Sequence, residues 1–111
     1  MKTLILFALL QVTVSVPEYF STLVIEATGA TIERQATDKD GSYIIAKVDS
    51  YYSEELLKMQ VRSTIDQFSD VKVHRTWTRV DGGIRLMVKT GDDILLIEYD
   101  DVNKLLTFAW L

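Results

Sequence analysis

Apolar residues recur at helical spacing in the middle of the chain, between Ser53 and Phe68. Four of them fall within one narrow arc at about 100° per residue: Leu57, Val61, Ile65 and Phe68. Ser53 is suited to cap the first turn, and two glutamates follow it where the helix dipole favours negative charge. The pattern therefore predicts a helix over residues 53–68 that buries one face and leaves Met59 at the surface.

A shorter helical pattern precedes it, between Pro17 and Gly29. Proline suits the first turn of a helix, and glycine suits its end. Between them, apolar residues follow at i, i+3, i+4 and i+7: Phe20, Leu23, Val24 and Ala27. We expect a helix over residues 17–28, although its β-branched residues would also tolerate a strand.

Strand-like segments occupy the rest of the chain. Residues 30–37 and 42–49 flank Asp40-Gly41 and predict a hairpin, and four more segments follow the longer helix at 71–80, 84–90, 94–99 and 105–110. The last two are apolar on both faces, so we expect them in the middle of the sheet or covered on one face. The sequence predicts an α+β domain in the order α-β-β-α-β-β-β-β, with a short N-terminal helix and a longer helix packed on the concave face of an antiparallel sheet of about six strands.

The hairpin at residues 71–90 can adopt two registers, which give different surfaces. With a two-residue loop at Asp81-Gly82, Trp77 lies opposite Leu86 on the core side, and the apolar phase of the first strand favours this register. With a three-residue loop over residues 81–83, six side chains form one exposed basic strip: Arg75, Trp77, Arg79, Arg85, Met87 and Lys89. Such a strip would suit a protein or peptide with an acidic patch.

Composition narrows the class of protein. A chain of 111 residues with 48% hydrophobic and 25% charged residues is typical of a single folded domain. A net charge of −4 argues against general nucleic-acid binding, which needs a basic surface. The chain contains no cysteine, which excludes disulfides, thiolate catalysis and zinc–sulfur sites.

The N-terminal residues have the pattern of a secretory signal peptide. Lys2 gives a positive start, residues 4–10 form an unbroken apolar run, and Thr13 and Ser15 occupy the −3 and −1 positions of a cut before Val16. We therefore expect residues 1–15 to be removed, leaving a single exported domain at 16–111, in the periplasm or outside the cell. The run is too short for a permanent membrane span. The alternative interpretation is a buried first strand or helix of a cytosolic domain.

The sequence offers little catalytic or metal-binding chemistry. His74 is the only histidine, so one chain cannot form a two-histidine metal site. Residues 38–42 partly match a calcium-binding loop, but Lys47 stands where the closing glutamate is required, and a hairpin turn explains the same residues. We expect no metal and no cofactor.

Three functional hypotheses follow. The first is a small exported, non-catalytic module that binds a protein or peptide through the basic strip or an exposed sheet edge. The alternative is a carrier of a small hydrophobic ligand, lined by Tyr99, Phe108 and Trp110. A remote third is an enzyme that uses His74 with a nearby carboxylate. The sequence indicates neither the identity of a partner nor the oligomeric state.

Overall fold

The computed structural model describes residues 15–68 and 72–111 of the protein. Its elements are α1 (Val16–Thr28), β1 (Thr31–Asp38), β2 (Gly41–Lys47), α2 (Glu54–Asp66), β3 (Val73–Val80), β4 (Gly83–Thr90), β5 (Asp93–Asp100) and β6 (Leu105–Trp110). The predicted α+β architecture and element order are confirmed. The predicted signal peptide lies outside the described residues, apart from Ser15.

The six strands form one antiparallel sheet in the order β1-β2-β6-β5-β4-β3. As predicted from their apolar faces, β5 and β6 lie in the middle of the sheet. The first hairpin forms one edge of the sheet, and β3 forms the other. In the described ranges, neither helix has the length and hydropathy that crossing a membrane requires.

Helix α1 begins one residue before its predicted start and ends at its predicted last residue. The hydroxyl of Ser15 accepts a hydrogen bond from the main-chain N–H of Glu18 at 3.3 Å, and Gly29 ends the helix in the left-handed region at φ 69°. Ile25 is buried where the sequence pattern predicted Ala27, which is exposed. The buried arc continues from Phe20 towards Ile25, and Ala27 lies beyond its edge.

Helix α2 also confirms its predicted cap and buried face. Ser53 Oγ accepts from the N–H of Leu56 at 3.3 Å. Leu57 and Val61 are fully buried, while the side chain of Met59 is 65% exposed. Ile65 and Phe68 are partly buried against the core.

The hydrophobic core lies between the two helices and one face of the sheet. The sheet contributes alternate side chains of β2, β4, β5 and β6, together with Val48, which follows β2. The side chains from the strands are Ile44, Ile84, Leu86, Val88, Leu95, Ile97, Tyr99, Leu106, Phe108 and Trp110. Successive side chains of a strand point to opposite faces, so the intervening residues point away from both helices. We call that opposite surface the outer face.

The β3–β4 hairpin adopts the two-residue register. Trp77 pairs with Leu86 and Val80 pairs with Gly83, so only Asp81 and Gly82 form the loop. Gly82 takes φ 77° and supplies the left-handed position of this turn, which glycine adopts without steric cost. The three-residue alternative is wrong because it would turn Trp77 from the core to solvent, since a shift of one residue reverses a strand's faces.

Candidate functional site

The structure distributes the six residues of the predicted basic strip over two surfaces. Those of β3 lie on the side that meets the helices: Arg75, Trp77 and Arg79. Those of β4 lie on the outer face: Arg85, Met87 and Lys89. The six side chains therefore do not form one strip, because the strip required the three-residue register. A binding role for either group stays a prediction.

Helix α2 contacts two of the β3 residues of this set, Trp77 and Arg79. Arg79 Nη1 lies 2.6 Å from Glu54 Oε2, and this hydrogen-bonded ion pair raises the pKa of the Arg79 guanidinium. Lys58 Nζ lies 5.6 Å from the ring centroid of Trp77. The side chain of Arg79 is 67% exposed, so solvent screens this ion pair and it stabilises the fold only weakly. These contacts place α2 over the β3 edge of the sheet.

The outer face carries an apolar row across four strands. Met87 pairs with Leu96, Leu96 with Ala109, and Ala109 with Tyr43. Met87 is 43% exposed and Leu96 is 37% exposed, and neither of the two helices within residues 15–68 and 72–111 covers them. We call these four residues the apolar row. Such a continuous exposed apolar surface is typical of an interaction site.

A groove of about 410 Å³ opens at one end of the outer face. Its walls include Asp38 and Asp40 of the first hairpin together with Ile94 and the C-terminal Leu111. Leu111 is 97% exposed and Ile94 is 44% exposed. The groove therefore continues the apolar row to the end of the sheet that carries these two aspartates.

A larger groove, of about 520 Å³, lies between α1 and β1, and we call it the edge groove. Glu18 and Glu26 of α1 contribute carboxylates to one wall. Apolar surface comes from both layers of the fold, from Ile25 of α1, Ile44 of β2 and Trp110 of β6. The edge groove thus combines an apolar base with negative charge.

Strand β1 forms the other wall of the edge groove and is exposed at all eight residues. Among the strands of the described part of the chain, β2 alone pairs with it, so the second edge of β1 carries main-chain N–H and C=O groups that these strands do not use. A bulge interrupts the pairing between Ile32 and Arg34, and regular pairing follows from Arg34 to Asp38. A straight free edge of five residues therefore lies beside the groove.

The sequence of β1 indicates a sheet edge through its polarity, which the strand prediction alone did not use. The segment TIERQATD of β1 is polar at most positions on both faces, whereas a strand in the middle of a sheet is apolar on at least one face. A strand polar on both faces is typical of an uncovered sheet edge. The wall supplied by α1 has no comparable signal, because Glu18 and Glu26 match any solvated helix face.

A polar cluster, buried at its tyrosines and exposed at Asp101, joins the loop before α2 to the turn between β5 and β6. Tyr99 Oη lies 2.7 Å from Asp101 Oδ1 and 3.1 Å from the main-chain oxygen of Tyr52. Lys104 Nζ donates to that same oxygen at 3.0 Å and to Asp101 Oδ1 at 2.9 Å. We call these four residues the tyrosine–lysine cluster. Their mutual hydrogen bonds give them a structural role, since each polar group has a partner.

The residues of the carrier hypothesis lie mainly in the core. Tyr99 is 1% exposed and Phe108 is 0% exposed, and both belong to the packed cluster between the helices and the sheet. Trp110 is 9% exposed and contributes to both surface grooves. The ligand-carrier function stays a prediction.

His74 lies on the outer face of β3, opposite Lys89 of β4. Within residues 15–68 and 72–111, no group of three or more His, Asp or Glu side chains converges to hold a metal ion. A catalytic histidine–carboxylate pair would need an anionic side chain beside His74, but the residue opposite His74 on β4 is the cation Lys89. The enzymatic hypothesis stays a prediction without a positive observation behind it.

Comparison of this chain with protein-family models, with curated proteins and with solved structures finds no match.

Proposed function

We propose that this protein is a non-catalytic binding module that takes an extended peptide segment along the free edge of β1. The observation that carries the proposal is the exposure of all eight β1 residues beside the edge groove. Adding a strand to a sheet edge gives affinity through main-chain hydrogen bonds and specificity through pockets for alternate side chains. The edge groove is the pocket for those side chains.

The straight part of the edge limits the bound segment. Five residues from Arg34 to Asp38 pair regularly with β2, which corresponds to about 17 Å of extended chain. The bulge near Ile32 bends the strand and ends this register. At the opposite sheet edge, Glu54 and Lys58 of α2 contact β3. β1 is exposed at every residue, whereas three residues of β3 are partly buried, so β1 is the more accessible edge for adding a strand.

The groove chemistry favours a peptide that alternates apolar and basic residues. Its apolar side chains would pack on Ile25, Ile44 and Trp110. A lysine or arginine would reach Glu18 or Glu26, where complementary charge steers association and suppresses acidic competitors. This partner is opposite in charge to the one predicted from the basic strip, whose residues lie on two surfaces.

The proposal includes action outside the cytoplasm after removal of residues 1–15, which rests on the sequence pattern of the N-terminus. A module that binds by main-chain pairing needs no cofactor. Its chemistry is compatible with a periplasmic or an extracellular location.

An NMR titration tests the proposal. Pentapeptides and heptapeptides with alternating apolar and lysine residues are added to the full chain, together with matched peptides carrying glutamate in place of lysine. We expect amide shifts and slowed amide exchange along Arg34–Asp38 for the lysine peptides. Glu26→Lys should weaken this binding by about tenfold, since it reverses one wall charge. Lysine also suits the last turn of α1, so the fold should persist.

The matched control is Glu55→Lys, a charge reversal of the same size at an exposed position of α2. It should leave the peptide affinity unchanged. Equal binding of lysine and glutamate peptides, or amide shifts that avoid β1, would contradict the proposal.

A further inference from the structure

We propose that the outer face is the interface of a symmetric homodimer, formed by two copies of this chain packed sheet against sheet. Ala36 and Tyr43 border both this surface and the edge groove, but the inference is argued from the strand pairing and charges of the outer face and does not depend on the peptide-binding proposal. The dimer would leave the free edge of β1 accessible.

Strand pairing arranges the outer face into rows that run across the sheet. The middle row crosses all six strands: Ala36, Tyr43, Ala109, Leu96, Met87 and Thr76. The row nearest the C-terminus carries opposite charges at its two ends, Asp38 on β1 and the His74–Lys89 pair on β3 and β4. The midline of the sheet falls between β5 and β6. These rows allow a two-fold arrangement to be tested residue by residue.

We consider a two-fold axis that is parallel to the strands and lies above the midline of the sheet. It places each row opposite the same row of the second copy, with the order of the strands reversed. β1 then faces β3, β2 faces β4, and β6 faces β5 of the second copy. In the middle row Tyr43 faces Met87, and the small Ala109 faces the larger Leu96. Large side chains therefore meet small or flexible ones, which is how facing sheets interdigitate in a sandwich.

The charges of the end row match under the same operation. Asp38 faces His74 of the second copy, whose ring N–H can donate to a carboxylate. Asp40, in the adjoining turn, comes close to Lys89 of the second copy. Both contacts occur twice in an isologous dimer.

The other in-plane axis, perpendicular to the strands, brings Asp38 to Arg34 at the edge strand β1 but brings like charges together on β4, inside the interface. Each strand would then face the same strand of the second copy, and the order of the rows would be reversed. Lys89 would then face Arg85 of the second copy, and like charges at an interface select against that arrangement. In the favoured arrangement Arg85 faces Ile45 and keeps its ion pair with Glu98, in which Arg85 Nη2 lies 2.6 Å from Glu98 Oε2.

The outer face has the size of a weak to standard interface. Six strands span about 29 Å and eight-residue strands extend about 26 Å, so the face covers about 750 Å², close to the ~800 Å² per partner of a standard complex. The groove of about 410 Å³ at its end would receive Met87 and Ile94 of the second copy. Leu111, which is 97% exposed, would be covered in the same contact.

Sedimentation equilibrium of the full chain, from micromolar to millimolar concentration, tests this interface. We expect a concentration-dependent monomer–dimer equilibrium. Leu96→Glu should weaken dimerisation by at least ~100-fold, since each dimer would bury two carboxylates. Lys89→Glu should weaken it by about tenfold, and the double variant Lys89→Glu, Asp40→Lys should restore the affinity because the exchanged charges again face each other.

The matched control is Arg62→Glu, an equal charge reversal on the exposed surface of α2, which should leave the dimer affinity unchanged. Circular dichroism of each variant checks that it is folded. A wild-type chain that stays monomeric to millimolar concentration would overturn the proposal. So would a dimer that tolerates Leu96→Glu, or a double variant that is no tighter than Lys89→Glu.

Discussion

The hydroxyl of the buried Tyr99 lies 2.7 Å from Oδ1 of the exposed Asp101, two residues further along the chain. A phenol has one proton to donate, and the charged carboxylate is a stronger acceptor than a main-chain oxygen. Tyr99 therefore donates to Asp101, and Lys104 Nζ donates to the main-chain oxygen of Tyr52 at 3.0 Å. The hydrogen bonds that Asp101 accepts from Lys104 and from Tyr99 lower the pKa of the Asp101 carboxyl and keep it charged.

The tyrosine–lysine cluster should stabilise the fold measurably. Tyr99→Phe removes the donor to Asp101 and keeps the packing of the ring, so we expect a loss of about 1–2 kcal/mol in the free energy of unfolding. Urea denaturation measures it. The control is Tyr19→Phe at a side chain that is 51% exposed, which should change the free energy by less than ~0.5 kcal/mol. Equal effects of the two substitutions would contradict a structural role for the cluster.

Stability should fall steeply at alkaline pH. Burial raises the pKa of Tyr52 and of Tyr99 above the ordinary tyrosine value, and neighbouring phenolate or carboxylate charge raises both further. The folded state thus holds these protons after the unfolded chain has released them. The contribution is fully present below the unfolded pKa of about 10 and is lost as pH rises towards the folded values.

Each tyrosine should add up to about 1.4 kcal/mol of lost stability per pH unit above pH ~10. Urea midpoints between about pH 9 and pH 11 measure this slope. The double variant Tyr52→Phe, Tyr99→Phe should show a shallower slope, although it is less stable at neutral pH, because it lacks the two shifted groups. An unchanged slope in that variant would assign the alkaline loss to other residues, such as lysines.

Replacement by alanine should lower the free energy of unfolding by different amounts at the glycines of two hairpins, Gly83 and Gly91. A Cβ on Gly83 would collide with the main-chain oxygen of Tyr99 on the neighbouring strand, so β4 would have to move away from β5. We expect Gly83→Ala to cost about 3 kcal/mol or more. Gly91 meets nothing within 4 Å and is constrained only by φ +61°, so Gly91→Ala should cost about 1–2 kcal/mol. Thermal denaturation of both variants measures the difference, and the reverse order would contradict the close strand approach.

Local patterns were sufficient for the fold because each depends on neighbouring residues. The phase of Trp77 with its strand indicated the β3–β4 register, and Ser53 and Gly29 indicated helix boundaries. Each of these signals lies within one element or one turn. The apolar faces of β5 and β6 likewise indicated that they lie in the middle of the sheet.

The candidate surfaces depend instead on residues that only the fold brings together. The hydroxyl of Tyr99 lies 3.1 Å from the main-chain oxygen of Tyr52, 47 positions away in the sequence, and no local pattern relates the two residues. The apolar row combines β2, β6, β5 and β4, an order that consecutive hairpins do not suggest. The basic strip was wrong as a single surface for the same reason, since its existence depended on a one-residue choice of loop length.

The cap at Ser15 connects the predicted export cleavage to stability. Ser15 Oγ accepts from Glu18 N–H at 3.3 Å, and a cut before Val16 would remove this acceptor and leave a positive terminal amine at the positive end of the α1 dipole. We expect Ser15→Ala in the full chain to cost about 1 kcal/mol, and a chain that starts at Val16 to lose at least as much. Urea denaturation measures both.

Ser53→Ala provides the matched comparison, because Ser53 caps α2 with the same 3.3 Å geometry and lies far from the cleavage position. It should cost a similar ~1 kcal/mol in the full chain and in the chain that starts at Val16. Ser15→Ala, in contrast, should matter only where residue 15 is present. N-terminal sequencing of protein from its native host then decides which case applies. A mature chain that begins at Val16 would have a frayed first turn of α1 beside Glu18 and the edge groove, whereas retention of Lys2 would contradict cleavage and preserve the cap.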